Sequence, residues 1–450
     1  MLRFTPIAAF VAALIFVGPA AADDWLPHPA GATWEYQWTD SVYNKTPTKE
    51  KVTVKNQKGP AFTLAWTTDG EGNPADAPTS TGTVSFQETN SGLLNTDWTS
   101  SPPPTNFPIL CATLTNCGNS LASTYYNIIW GGRVPVLAEP LIKGLSWSST
   151  GAANNDVASS SQYLGLEQVS VPAFPQPVVA AKVQSDITQA GAIGDPYGSG
   201  VRTIWWVFGV GPVKVVFEHS GGTNAPVTTS VLTSTSLKPG PPPDDSDYFP
   251  LKKGLTGTYR WTNTKHLPQP EVETLSVDAV ANGSAQLSVK SVSGPIKVQA
   301  AYGYTDRLDG LTNIWGTTQA ATLAKLPPLG PKSAAKSKRR HFFTPLDLMD
   351  FGFNPILPAY PAPKDTWAAA THGRDWQVFG VKGRTTVLGQ QTVKVPAGTF
   401  KALAVRTVLK QPGFPFGSGV RTCWFAPDRG LVKLVFAHAD HSVSTVVLTK

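Results

Sequence analysis

The sequence predicts an all-β or β-dominated protein made of two tandem copies of one curved antiparallel sheet, a clam or half-barrel with little helix. Three observations carry this. The chain contains a long internal duplication. Short runs rich in Val, Thr, Ser and Trp alternate along it. Gly and Pro, 40 of each, punctuate those runs, at the spacing of roughly 8–12 residues typical of antiparallel meanders.

The chain opens with an export signal. Arg3 supplies a short positive region, Ile7 to Val17 an apolar run, and Ala20-Ala21-Ala22 small residues for cleavage before Asp23. The run is shorter than the ~18–20 apolar residues of a membrane span. Residues 1–22 are therefore read as a signal peptide, and the mature chain is expected to have no membrane span. The remaining length suits two or three domains.

Self-comparison supplies the strongest signal. Residues 198–219 align without gaps to 417–438 and are identical at 13 of 22 positions; average composition predicts about one or two. Residues 26–41 align to 249–264, sharing Pro27/Pro250, Gly31/Gly254, Tyr36/Tyr259 and Trp38/Trp261. Pro135 and Trp147 match Pro355 and Trp367. Val169 to Ala173 matches Val393 to Ala397. The offset stays between 219 and 224. The first domain is placed at 23–237 and the second at 248–450. Between them lies "KPGPPPDDSD", residues 238–247, whose prolines favour an extended linker and whose aspartates favour solvation.

The second copy shows the strand pattern more clearly. Val393 and Val395 flank Lys394, the period of two of a half-buried strand. "TTVL" and "QTVKV" read as two strands with a turn at Gly389. Pro396-Ala397-Gly398 and Pro427-Asp428-Arg429-Gly430 mark further turns. Residues 344–353, "TPLDLMDFGF", allow one or two helical turns closed by Gly352.

Three motifs resemble one family of bacterial extracytoplasmic β-domains, the TapB-type or DUF3108-like proteins. They are "YFPLKKGLTGTYRW", "VKVPAGTFKALAVRT" and "GVRTCWFAPDRGLVKLVF". The first copy departs from them, with "VPAFPQP" and "VFGVGPVK" in place of the last two. The resemblance covers the ends of each copy but not the middles, residues 99–160 and 316–366. The architecture is similar to the clam of LolA/LppX-type proteins. That broader resemblance implies carriage of a lipid or hydrophobic ligand, by analogy of fold alone.

Catalytic signatures are sparse. The sequence lacks H-E-x-x-H, G-x-S-x-G and a phosphate-binding loop. Ser333-Ala334-Ala335-Lys336 has the S-x-x-K spacing without its companion motifs. No catalytic residue, metal or cofactor is expected. His438, Asp440 and His441 read as a solvated turn. Cys111 and Cys117 sit in one loop; in an oxidising compartment they suit a small-loop disulfide, the alternative being two thiols. Cys423 reads as a buried small hydrophobe.

Arg202 and Arg421 each sit in "GSGVRT", followed three residues on by Trp205 and Trp424. An arginine within a strand needs a partner, either a carboxylate of its own domain or an anionic ligand. These four residues form the candidate ligand site. The 14 Trp suit core filling or stacking on sugars, and Trp34, Trp38 and Trp261 lie in strand-like runs that favour the core.

Charge separates the copies. Residues 23–240 carry a net −5 and residues 241–450 a net +11, helped by Lys332, Lys336, Lys338, Arg339 and Arg340. Two functional expectations follow. One is an exported non-enzymatic protein binding a lipid or hydrophobic small molecule within β-clam domains. The other is a cell-envelope adhesion module binding an anionic polymer through the basic second domain. The basic run at 332–341 has no interleaved aromatic, which argues against specific nucleic-acid binding.

Overall fold

The computed structural model describes residues 22–41, 47–68, 81–101, 133–151, 157–189, 199–220, 227–267, 269–281, 283–294, 296–320, 344–352, 355–369, 381–412 and 415–450. The signal-peptide residues before Ala22, the Cys111–Cys117 pair and the basic run at 332–341 lie outside them.

Among the described residues strands dominate, in a 13-stranded sheet spanning Thr33 to Thr235 and an 11-stranded sheet spanning Thr256 to Leu448. Both are antiparallel meanders of the same plan. Each begins in mid-sheet, at Thr33–Asp40 or Thr256–Asn263. The chain runs outward to one edge, crosses to the other edge, and returns until its last strand pairs with its first. Two hydrophobic cores result. One draws its buried residues from Trp25 to Leu232, the other from Tyr248 to Leu448.

The crossing nearly closes each sheet into a barrel. In the first, Arg133–Val134 forms one edge and Leu137–Ala138 the other, so two residues of chain join the sheet's two ends. Leu137 pairs with Leu93 there. In the second, Leu357 bridges Leu311 in the same way. Gly92 and Gly310 make this approach possible. Their φ values are +118° and +94°. A Cβ on either would lie 2.1 Å from Leu137 O or 2.2 Å from Leu357 O. Trp147 and Trp367 brace the corners, donating their indole N–H groups to Pro135 O at 3.3 Å and Pro355 O at 2.9 Å.

Gly389 does not turn the chain. The strand Lys382–Val395 runs straight through it, with a register shift between Val387 and Gly389. Its φ of +91° belongs to a β-bulge, which absorbs an extra residue and bends the strand without ending it. Leu388 is pushed outward and exposed. Leu164 and Gly165, φ +111°, repeat this bulge in the first sheet.

The segment 238–247 is docked where the sequence suggested a solvated linker. The Asp245 carboxylate accepts from Tyr163 Oη at 2.7 Å, and its carbonyl accepts from Lys143 N at 3.0 Å. Asp247 is buried, with Oδ1 accepting from Phe249 N at 3.2 Å. The barrels also meet directly. Leu308 N donates to Asn90 O at 2.9 Å, and Leu141 N to Tyr360 Oη at 2.7 Å.

Candidate functional site

Matching cross-strand rows run through the two barrels. In the first, Trp147, Ser161, Ser185, Arg202, Phe217 and Thr228 are successive register partners. In the second, the row is Trp367, Thr385, Thr407, Arg421, Phe436 and Ser444. Ser161 and Ser185 share a buried hydrogen bond of 2.7 Å, and Thr385 and Thr407 one of 3.1 Å. His219 meets Thr228 at 2.7 Å, and His438 meets Ser444 at 2.8 Å. Each barrel thus repeats one inward polar layer.

Arg421 is fully buried in this layer. Its Nη1 donates to Leu348 O and Phe351 O, both at 2.5 Å. Those carbonyls end helix α1 of the second barrel, Pro345–Asp350. The helix starts at an N-cap, Thr344, with a reciprocal capping box to Asp347. Tyr302 Oη reaches Thr344 Oγ1 at 2.6 Å and Asp347 Oδ1 at 2.8 Å. Tyr304 Oη donates to Asp350 Oδ2 at 2.9 Å. Pro345, Leu346, Leu348, Met349 and Phe351 are buried. The chain's own helix therefore fills the concavity in which a clam would hold its ligand.

Arg421 does not combine with Trp424 in one site. Alternate side chains of a strand point to opposite faces, and an odd spacing of three separates them. Trp424 lies on the outer face, its N–H donating to Gln391 Oε1 at 2.9 Å and Lys433 Nζ 5.2 Å from its ring centroid. Arg202 and Trp205 are divided likewise. Arg202 is inward and buried; Trp205 donates to Glu167 Oε1 at 2.6 Å on the other face, between Lys182 and Lys214.

The second barrel encloses carboxyl groups. Glu271 and Glu273 point inward from Glu271–Ala281, and Asp347 and Asp350 approach from the helix. Burial, with repulsion from Asp347, pushes the Glu271 carboxyl up to about 8. Burial first, then Glu271, Asp347 and Asp350, holds Glu273 well above the usual range. Neither oxygen of Glu273 has a hydrogen-bond partner among the described residues, nor does the Trp261 indole nitrogen. The first barrel differs: at the equivalent positions Trp38 Nε1 donates to Glu50 Oε2 at 2.7 Å.

His438 is buried, not in a solvated turn. Its Nδ1 meets Phe416 O at 2.5 Å, and burial pulls its pKa down to about 4. Asp440 instead pairs with His266 at 2.7 Å. Cys423 is buried, and burial pushes its thiol up to about 12. Among the described residues no cluster of three or more His, Cys, Asp or Glu suits a metal ion.

A concave cleft lies between the barrels. Its volume is about 700 Å³, and it is lined by Pro135, Leu145 and Trp147 of the first barrel and by Leu251, Val280 and Ala281 of the second. Lys143, Lys252 and Arg307 stand exposed along it. Asp247 and Asp306 line it as well. Burial pushes their carboxyls up to about 6 and about 7, and Asp247 adds to the rise at Asp306. Sequence reasoning missed this site. Its residues come from six separated stretches of chain, and no local pattern marks them.

No protein-family model matches the chain, and no curated protein matches it. Solved structures similar to part of it include a Bacteroides fragilis protein described as exported with a YmcC-like fold. It is 13% identical and covers 47% of this chain and 97% of its own, at a TM-score of 0.28. A Parabacteroides distasonis protein described as a lipoprotein is 13% identical, covering 47% and 98% at 0.24. The Escherichia coli lipoprotein YmcC is 10% identical, covering 47% and 89% at 0.20. At these scores the likeness establishes neither the fold nor an activity. The TapB-type resemblance has no match among them. No helix among the described residues is long and apolar enough to cross a membrane.

Proposed function

We propose that this is an exported, non-enzymatic binding protein that holds a hydrophobic small molecule in the cleft between its two barrels. The cleft carries the reading. It is concave, about 700 Å³ in volume, and walled by Leu145, Trp147, Leu251 and Val280, which suits a small ligand more than a macromolecule. Two further observations support it. The interior of the second barrel is filled by its own helix, which leaves little room for a ligand inside that sheet. Among the described residues the cleft lining holds no histidine and no cysteine, so these offer no nucleophile–imidazole pair. Export rests on residues 1–22, and a mature N-terminus at Asp23 checks it.

The test is titration with the neutral apolar fluorophore N-phenyl-1-naphthylamine. Saturable binding is expected. Ala281→Trp, at an exposed position, should fill the cleft and abolish it. Binding that this substitution leaves unchanged would place the ligand elsewhere and overturn the reading.

A further inference from the structure

The duplication supplies an internal control for the cleft. Gly144 and Lys364 occupy equivalent positions and share positive φ, 87° and 80°, so Lys143 corresponds to Pro363. The matched openings pair Lys252 with Pro29. Glu88 N donates to Pro60 O as Asp306 N donates to Gly283 O, so Arg307 corresponds to Thr89. None of the three cleft cations is repeated in the other copy. The scaffold therefore does not require them, and all three converge on one cleft from three segments and both barrels. The Lys143 and Arg307 side chains form no ion pair or hydrogen bond among the described residues. Lys252 shares an exposed pair with Asp428, at 3.5 Å, and its charge also acts on Asp247.

We propose that the cleft binds a single-chain amphiphile with an anionic head group of the phosphate, sulfonate or carboxylate class. The head lies among Lys143, Lys252 and Arg307, and the tail along Leu145, Trp147, Leu251 and Val280. This rests on the cleft being a binding site, as proposed above. A concave site with apolar walls concentrates the field of its rim charges, and lysine serves phosphate recognition as a point charge.

The acids in the lining give the site a pH dependence. Asp247, Asp306 and Glu139 line the cleft, with Asp309 and Tyr360 facing Asp306 and with Lys252 and Asp428 facing Asp247. Asp306 is neutral below about pH 7 and ionised above it. Ionisation of Asp247 and then of Asp306 sets negative charge beside the head group, so affinity falls as pH rises.

Calorimetry below the critical micelle concentration tests this on the full mature chain. The probes are decyl phosphate, decanesulfonate, decyl maltoside, decyltrimethylammonium and inorganic phosphate. The two anionic amphiphiles should bind about tenfold more tightly than the maltoside. The double variant Lys143→Gln/Arg307→Gln should erase that preference and leave maltoside binding unchanged. Decanesulfonate keeps one charge over the range, so its affinity should fall between pH 5 and pH 8, and Asp306→Asn should flatten the fall. Equal binding of all decyl probes, untouched by the double variant, would overturn the anionic head group while leaving the apolar cleft intact. Binding by none would overturn both. Inorganic phosphate binding as tightly as decyl phosphate would overturn the amphiphile in favour of a free anion.

Discussion

Arg421 donates its Nη1 to the main-chain carbonyl of Leu348 at 2.5 Å. It bonds Phe351 O at the same distance, so one buried guanidinium closes the helix that fills the second barrel. Arg421→Met should leave both carbonyls buried without this donor and lower the stability of that barrel by about 3 kcal/mol. Trp424→Ala, on the outer face, should cost about 1 kcal/mol. Urea unfolding followed by hydrogen exchange within 344–450 measures the difference. Equal effects would show that Arg421 does not hold the helix.

The enclosed carboxyls make the second barrel less stable in alkali. Glu271 has its folded pKa raised to about 8 from an ordinary 4.5. Its favourable contribution is complete below about pH 4.5, where both states are protonated. It declines as pH rises and is lost through pH 8, because only the unfolded chain releases the proton readily. Glu271→Gln keeps a carbonyl to accept from Ser291. The variant should show a flatter stability curve from pH 5 to pH 8 and gain roughly 2–4 kcal/mol at the upper end. A curve parallel to the wild type would rule out Glu271 as a source of the decline.

Glu50 and Glu273 occupy equivalent positions beside Tyr36 and Tyr259, yet the same substitution should act on them with opposite sign. Glu50 accepts from Trp38 Nε1, so Glu50→Met strands a buried donor and should cost about 1–3 kcal/mol. Glu273 is buried with neither oxygen hydrogen-bonded among the described residues, so Glu273→Met should stabilise by about 1–3 kcal/mol. Thermal unfolding at pH 7 compares the pair; destabilisation by both would refute the asymmetry.

Barrel closure should depend on Gly92 and Gly310. Alanine at either position combines a strained positive φ with a Cβ little more than 2 Å from a carbonyl oxygen. Gly92→Ala should loosen 133–138, and Gly310→Ala should loosen 355–357, each at a cost of a few kcal/mol. Amide exchange in those segments reports it. Gly59→Ala, where a Cβ meets nothing within 4 Å, should leave exchange there unchanged.

The duplication was legible because strands and turns are local. Alternation exposed the inward positions, and "GSGVRT" marked Arg202 and Arg421 at matching places. The helix at 345–350 was legible as a short run within 344–353 closed by Gly352; the Thr344–Asp347 capping box emerged only in the structure. Gly389 misled, because a glycine at positive φ serves a turn and a bulge equally well. The pairing of Arg421 with Trp424 failed on parity, since three residues along a strand reverse the face. The middles of the copies, residues 99–160 and 316–366, are where the family resemblance stops. Lys143 lies there, but Lys252 sits inside the matched opening motif and Arg307 in a β-turn outside both middles.

By itself the sequence determined the two β-rich copies, the inward apolar faces and the charge imbalance between the halves. Each of these depends on side-chain order along a short stretch of chain. Only the tertiary structure decided that each sheet curls until a crossing segment nearly joins its edges, that a helix fills the second barrel, and that Lys143, Lys252 and Arg307 share one cleft. Those relations join residues up to 164 positions apart. Barrel closure and the docking of residues 238–247 against the first barrel bring them together, and neither leaves a periodic trace in the chain.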